Sequence, residues 1–533
     1  VTAGSVDAVR AEYTTEIVRE EIFIALVGAM GTNLDAADEI LAELLRDYNY
    51  DVIPIRISAL IKTVPPYTSV DPKHAYNYRL RMIEGGNYIC EKLVDKAALA
   101  DLAIAEIVKQ RKVKPSGKRH AVTIHSLKRP DEVRRLREVY GGLFYTVAIF
   151  ADVASREQRL TRELNANIGR PDDPEGRFDA QRLMRIDERE DKEWGQKVSD
   201  TFAEADYFVR NDNETELRQA LSRFLTLVFR KPYVSPSREE VAMMHAYSGG
   251  LRSADLSRQI GAVIAARDGR ILSTGCNEVP RPGGGQYWAS DQNDARDFKL
   301  GRDMNDLKKH DAIVELLQRL DAVILPEHLL DGIEDLYEKL FDKASFKGTR
   351  VDALVEFGRV LHAEMAALSD ALLGQVAVRD ADLFCTTFPC HMCTRQIIGA
   401  GIRNVFYIEP YPKSAALDLY GKTEILVNPS LTEEQYAERI RADAICDART
   451  CFLPFQGVAP RRYTELFANG RQKNDDGTVV GFDPRTAKPR RTPSFVAIHR
   501  EAEDFIAQRI REAAEALRKG TASADSTARG AAG

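Results

Sequence analysis

Pro389-Cys390-His391-Met392-Cys393, with His362-Ala363-Glu364 upstream of it, is the part of this chain that settles how its second half folds. Cysteines three positions apart project from one face of a helix, so both sulfurs can meet one ion. Pro389 has no backbone N–H and a fixed φ, which suits the start of that helix. The partial positive charge at a helix start favours thiolate over thiol. One imidazole and two thiolates are the ligand set of a zinc ion that keeps a fourth position for water. His362, Cys390 and Cys393 are therefore the candidate zinc ligands, and Glu364 is left free to move protons. The flanks fit this reading. Asp382-Leu383-Phe384-Cys385-Thr386-Thr387 before the cysteines and Asn404-Val405-Phe406-Tyr407-Ile408 after them both read as buried strands. A Cys-x-x-Cys alone is equally a redox pair or half of a structural zinc site. The ordered combination with His-x-Glu favours a catalytic metal.

The whole chain has 533 residues, too many for one core, so two domains are expected. Its 75 basic and 81 acidic residues are well mixed, for a net charge of −6. That disfavours a chain built mainly to hold a nucleic-acid backbone. Seven cysteines without a secretory leader predict a reducing, cytoplasmic setting. Cys90, Cys276, Cys385, Cys446 and Cys451 have no ligand spacing and read as buried free thiols. No apolar run reaches the length of a membrane span.

In the amino-terminal half, Ile22 to Val27 is continuously apolar, as in a parallel strand covered on both faces. It runs into Gly28-Ala29-Met30-Gly31-Thr32-Asn33, and helical periodicity follows from Leu34 to Tyr48. Strand, glycine turn and helix form an arrangement that cradles phosphate, so Gly28, Gly31 and Thr32 are candidate nucleotide-binding residues. A tight turn with no ligand is the competing reading. A phosphate-transferring loop would place a lysine at the helix start, yet the first lysine of the chain is Lys62. Phosphoryl transfer is not expected. His120 to His125 and Leu143 to Phe150 read as further core strands, and Arg182, Arg185 and Arg189 with Asp187 form a charged helical patch. Ala205 to Asp212, followed by a helix to Phe229, resembles the closing segment of small nucleotide kinases of the dephospho-coenzyme A kinase type. The arginine patch resembles their mobile lid.

Lys231-Pro232-Tyr233-Val234-Ser235-Pro236-Ser237 is proline-punctuated and places a domain junction. Beyond it, a hairpin turning at Asp268-Gly269 precedes the metal helices and strands. His-x-Glu with Pro-Cys-x-x-Cys resembles the zinc-dependent nucleobase deaminases, and this order of elements resembles the cytidine deaminase fold. Ser253, Asp255, Gln259, Gly261 and Ala262, with Ile260 for valine, resemble the segment before the first strand of deoxycytidylate deaminases. In that family an Asn-x-x-Pro after the second strand binds the sugar 3′-hydroxyl, which the resemblance carries to Asn277. A turn residue satisfying its own backbone is the alternative for Asn277. Arg258, Tyr411 and Lys413, on family-matching loops, are the other candidates for substrate contacts. Arg281 and Pro282, standing before Gly283-Gly284-Gly285, depart from the family pattern, which has glycine directly after the proline.

Taken with Ser126-Leu127-Lys128-Arg129-Pro130, Glu409-Pro410-Tyr411-Pro412-Lys413-Ser414 and Phe455 to Tyr463, the chain resembles the anti-phage dCTP/dCMP deaminases of the AvcD type. The resemblance implies an α/β protein in which a degenerate, parallel-sheet P-loop kinase-like domain (21–230) precedes a cytidine deaminase-like α/β/α domain (246–475). A leader (1–20), a linker (231–245), an insertion (281–355), a helical extension (476–518) and a disordered tail (519–533) complete the expected organisation. It further implies zinc, deoxycytidine nucleotides as substrate, homo-oligomers, a nucleotide effector at the first domain and restraint by a small RNA. A housekeeping dCMP deaminase for thymidylate synthesis and a nucleic-acid editor, which would need a basic, aromatic channel, are the alternatives.

Overall fold

In the computed structural model, the apolar run at Ile22 lies in strand β1 (Glu21–Val27), buried at every residue. The structure describes residues 21–70, 75–113, 119–168, 174–188, 190, 192–211, 213–324, 356–409, 415–428, 449–468, 472–490 and 499–515. Tyr411, Lys413, Arg189, Cys446, the leader, the tail and part of the expected insertion lie outside the described residues. The remaining strands are β2 (Tyr50–Arg56), β3 (Arg119–Leu127), β4 (Phe144–Phe150), β5 (Tyr207–Arg210), β6 (Gly261–Ala265), β7 (Ile271–Cys276), β8 (Asp382–Thr387), β9 (Asn404–Glu409), β10 (Ile425–Val427), β11 (Thr450–Pro454) and β12 (Gly457–Val458). They form two sheets, each in its own compact unit.

The first sheet runs β12-β5-β4-β1-β3-β2, with β1 to β5 all parallel. Ile22, Ile24 and Leu26 point into one core with Leu34, Ala37, Ile40, Leu41 and Leu45 of the helix Leu34–Asp47. Each large aliphatic side chain buried in this way stabilises the fold by about 1.5–3 kcal/mol. The helix starts where Asn33 caps it, its side chain accepting from Ala36 N at 3.2 Å. Directly after β2, Ile57 opens a short helix, Ile57–Ile61.

The second sheet runs β10-β11-β9-β8-β6-β7. Its hairpin is antiparallel, and β8, β9, β11 and β10 continue parallel to one another. Ser237 and Glu240 form a reciprocal capping box that opens the helix Arg238–Gly250, so the expected linker ends at Pro236. That helix and the helix Ala363–Leu373 pack on β6 and β7.

One expected boundary moves. The second unit ends at Phe455, not residue 475, and the chain returns to the first unit, where β12 pairs antiparallel with β5. The reason is electrostatic as well as geometric. Asp206 is fully buried before β5, and Arg461 and Arg462 reach it at 2.9 and 3.6 Å. Of the expected carboxy-terminal helical extension (476–518), 499–515 is helical and 476–490 is irregular. Glu503 in that helix and Glu21 on β1 share Arg111, at 2.7 and 2.8 Å. Among the described residues, no helix is long and apolar enough to cross a membrane.

Candidate active site

The two metal-binding segments reach the same point by the same device, a helix N-cap. His362 caps the helix Ala363–Leu373 and Cys390 caps the helix His391–Gly399, both with extended backbone. The second helix thus begins at His391, two residues later than a start at Pro389 would place it, because Cys390 is the N-cap and its carbonyl accepts Thr394 N at 2.8 Å. Cys393 lies within its first turn, fully buried. His362 Nδ1 is 3.2 Å from Cys390 Sγ and 3.4 Å from Cys393 Sγ. Tetrahedral zinc with ordinary bond lengths separates such nitrogen and sulfur ligands by about 3.6 Å. The three donors therefore fit a zinc ion, and among the described residues they are the group so arranged.

Electrostatics agree with that donor set. Hydrogen bonds from Cys393 and from His362 pull the Cys390 thiol down to about 4. Glu364, at the second position of its helix, is 3% exposed. Burial pushes its carboxyl above the usual range, and the charge at Cys390 adds to the effect. A carboxyl of this kind is suited to take and return protons. His391 turns elsewhere, with Nε2 3.1 Å from Glu356 Oε1.

The approach to His362 is extended and not helical. Leu361 and Glu278 exchange backbone hydrogen bonds of 3.0 and 3.2 Å, which anchors the segment before the ligand. The buried Glu278 carboxylate accepts from Ala254 N and Val279 N, both at 2.9 Å, and lies 3.5 Å from Arg296 of the insertion. Sequence reasoning missed Glu278 as an organiser of the site. Its only signal was its place in Asn277-Glu278-Val279-Pro280.

Asn277 is also buried. It accepts from Ile260 N and donates to Arg258 O, both at 2.7 Å, so its carboxamide shapes the segment that carries Arg258. The Arg258 guanidinium meets both oxygens of Glu409, at the end of β9, at 2.9 and 3.0 Å. Gly283, Gly284 and Gly285 all have positive φ, in a turn closed by Arg281 N to Gly285 O at 2.9 Å. Cys90, Cys276 and Cys385 are buried free thiols, Cys451 is buried as well, and burial pushes Cys90 and Cys276 up to about 11.

In the first unit, the glycine turn is occupied from within. Gly31 has φ +88°, and a Cβ there would lie 2.6 Å from Arg156 O. Thr32 N donates to Ala29 O, and Gly28 presents its carbonyl to Lys128 Nζ at 2.9 Å. Met30 N donates to Asp187 Oδ2 at 2.6 Å. Lys128 comes from the loop after β3, a position from which its relation to the turn is invisible in the sequence.

Residues 236–409 match the family described as the cytidine and deoxycytidylate deaminase zinc-binding region. ComE operon protein 2 of Bacillus subtilis (strain 168) is 40% identical over 53 residues, 10% of this chain and 28% of that protein. The chain therefore spans little more than a quarter of that relative. Among solved structures, the dCMP deaminase of cyanophage S-TIM5 is 19% identical, over 33% of this chain and 84% of that one, with a TM-score of 0.18. A diaminohydroxyphosphoribosylaminopyrimidine deaminase/5-amino-6-(5-phosphoribosylamino)uracil reductase from Thermotoga maritima is 17% identical, over 43% and 39%, with a TM-score of 0.17. The segment that brings His362, Cys390 and Cys393 together thus lies within the part of the chain that matches the cytidine and deoxycytidylate deaminase zinc-binding region.

Proposed function

We propose that this protein hydrolyses the amino group of deoxycytidine nucleotides, dCTP or dCMP, giving deoxyuridine nucleotides and ammonia, and so drains the deoxycytidine nucleotide pool during phage infection. The observation that carries the chemistry is the convergence of His362, Cys390 and Cys393 beside a buried carboxyl, Glu364. His362, Cys390 and Cys393 would hold a zinc ion, which would supply a water acidic enough for attack on C4 of cytosine near neutral pH. Glu364 takes a proton from the water and delivers it to N3, then takes the proton of the new C4 hydroxyl and passes it to the amino group, which leaves as ammonia as the C4–N bond breaks. Arg258, released from Glu409, offers a cation to the substrate phosphate, and Asn277 holds the Arg258 segment against the sugar. Tyr411 and Lys413 complete the candidate contacts.

The anti-phage role, the homo-oligomer and the inhibitory small RNA follow from the resemblance to the anti-phage deaminases, the cytoplasmic setting follows from the cysteine usage, and the nucleotide effector at the first unit follows from its glycine turn. Purified, zinc-loaded protein assayed on dCTP, dCMP, CMP, deoxycytidine and a single-stranded oligonucleotide tests the substrate class. Deoxycytidine nucleotides should turn over fastest, since a phosphate gives the cations a charge-assisted partner. Equal rates on free deoxycytidine would refute the assignment, and turnover of the oligonucleotide would replace it with an editing role.

A further inference from the structure

We propose that the cavity at the carboxyl ends of β1 to β3 is a phosphate site held closed by the protein's own Asp187 carboxylate. This rests on the nucleotide-binding role proposed above for the first unit. In open parallel sheets, ligands bind beyond the carboxyl ends of the strands, where the strand order reverses. Here it reverses at β1: the connection from β1 leads to β2 on one side, and that from β3 leads to β4 on the other. A cavity of about 240 Å³ lies at that end, lined by the glycine turn and by Lys128 and Asp187.

Asp187 is fully buried. Its Oδ2 accepts the Met30 N–H at 2.6 Å and its Oδ1 lies 2.8 Å from Lys128 Nζ. A backbone N–H of a glycine turn, an ammonium and the start of the helix Leu34–Asp47 make up the donor set of a phosphate cradle. Lys128 thus brings to the turn, from another loop, the charge that the turn's own sequence lacks. Facing them, Arg79 and Arg159 both pair with Glu163, the latter at 3.0 Å. Lys128 is paired with Asp187, and Arg79 and Arg159 share the single carboxylate of Glu163. An entering phosphate takes the donors of Asp187, and Asp187 must leave the turn to admit it.

The competing account makes the Asp187–Lys128 pair a staple that only fastens the helix Pro174–Glu188 to the turn. The two accounts part when the carboxylate is removed, because Lys128 is then left buried and without its partner. The test uses the full-length, zinc-loaded protein with inorganic pyrophosphate and with dCTP, read by thermal melting and calorimetry. Asp187→Ala should melt lower than wild type and recover on adding pyrophosphate, as ligand linkage requires. It should bind pyrophosphate at least about tenfold more tightly than wild type. Asp187→Asn, which keeps the shape and removes the charge, should change in the same direction and carries the test if the alanine variant does not fold. Adding Lys128→Met to either variant should abolish the gain. Variants that bind no more tightly than wild type overturn the proposal. If wild type already binds either anion as tightly as the variants do, the closing role of Asp187 fails while the nucleotide reading stands. If no form binds either anion, both fail.

Discussion

Glu364 is placed by the start of its helix, with Cys393 as its hydrogen-bond partner, so its removal should disturb chemistry before structure. Glu364→Ala is expected to retain zinc, measured by metal analysis, and to lose turnover by ~100-fold or more, the usual worth of a positioned acid–base group. A zinc-loaded variant with wild-type rates would remove Glu364 from the mechanism. Asp382, at the start of β8, makes a different prediction. Burial raises its carboxyl to about 6, against the hydrogen bond it accepts from Asn404. Its folded value is thus above the ordinary carboxyl value of 3.8, so the folded state holds the extra proton between these values and stability falls as pH rises through that window. Asp382→Asn should flatten the decline in melting temperature from pH 4 to 6, and an unchanged profile would count against a raised carboxyl. The convergence of His362, Cys390 and Cys393 was legible at this scale because short spacing on predicted helices encodes it. The Asp187 contact was not, since Met30 and Asp187 are 157 positions apart and neither residue is unusual locally.

Strands with continuous apolar runs, β1, β4 and β8 among them, could be read directly, because burial on both faces leaves an unmistakable composition. β12, only two residues long, carries no period at all, and its place beside β5 depends on contacts far along the chain. The same limit hid how closely β7 approaches the metal helix. A Cβ on Gly275 would lie 2.2 Å from Ala363 O and 2.3 Å from Ala367 N. These are backbone atoms and cannot swing aside. Gly275→Ala should therefore push the helix that carries Glu364, lowering stability by about 1–3 kcal/mol and reducing zinc occupancy as well. Normal zinc content with a normal melting temperature would mean that strand and helix separate more easily than their packing suggests.

For the whole molecule, the proposed defence role predicts that cells expressing the chain with its neighbouring sequence yield less phage. That protection should vanish with Glu364→Ala or Cys393→Ala, measured by plaque counts beside dCTP and dUTP levels. Protection that persisted in either variant would transfer the effect to the first unit or to a bound partner. The two-unit organisation was legible in outline from the proline-punctuated junction, but the return of the chain after Phe455 was not. The return has a consequence for biogenesis. Residues 237–455 are a continuous segment, whereas the first unit is built from chain on both sides of it. A ribosome adding ~5–20 residues per second takes roughly 10–45 s to traverse that segment. Throughout this interval β5 lacks β12, buried Asp206 lacks Arg461 and Arg462, and Arg111 lacks Glu503. The half that emerges first is therefore the last to be finished, and the catalytic segment can close while its older neighbour is still waiting.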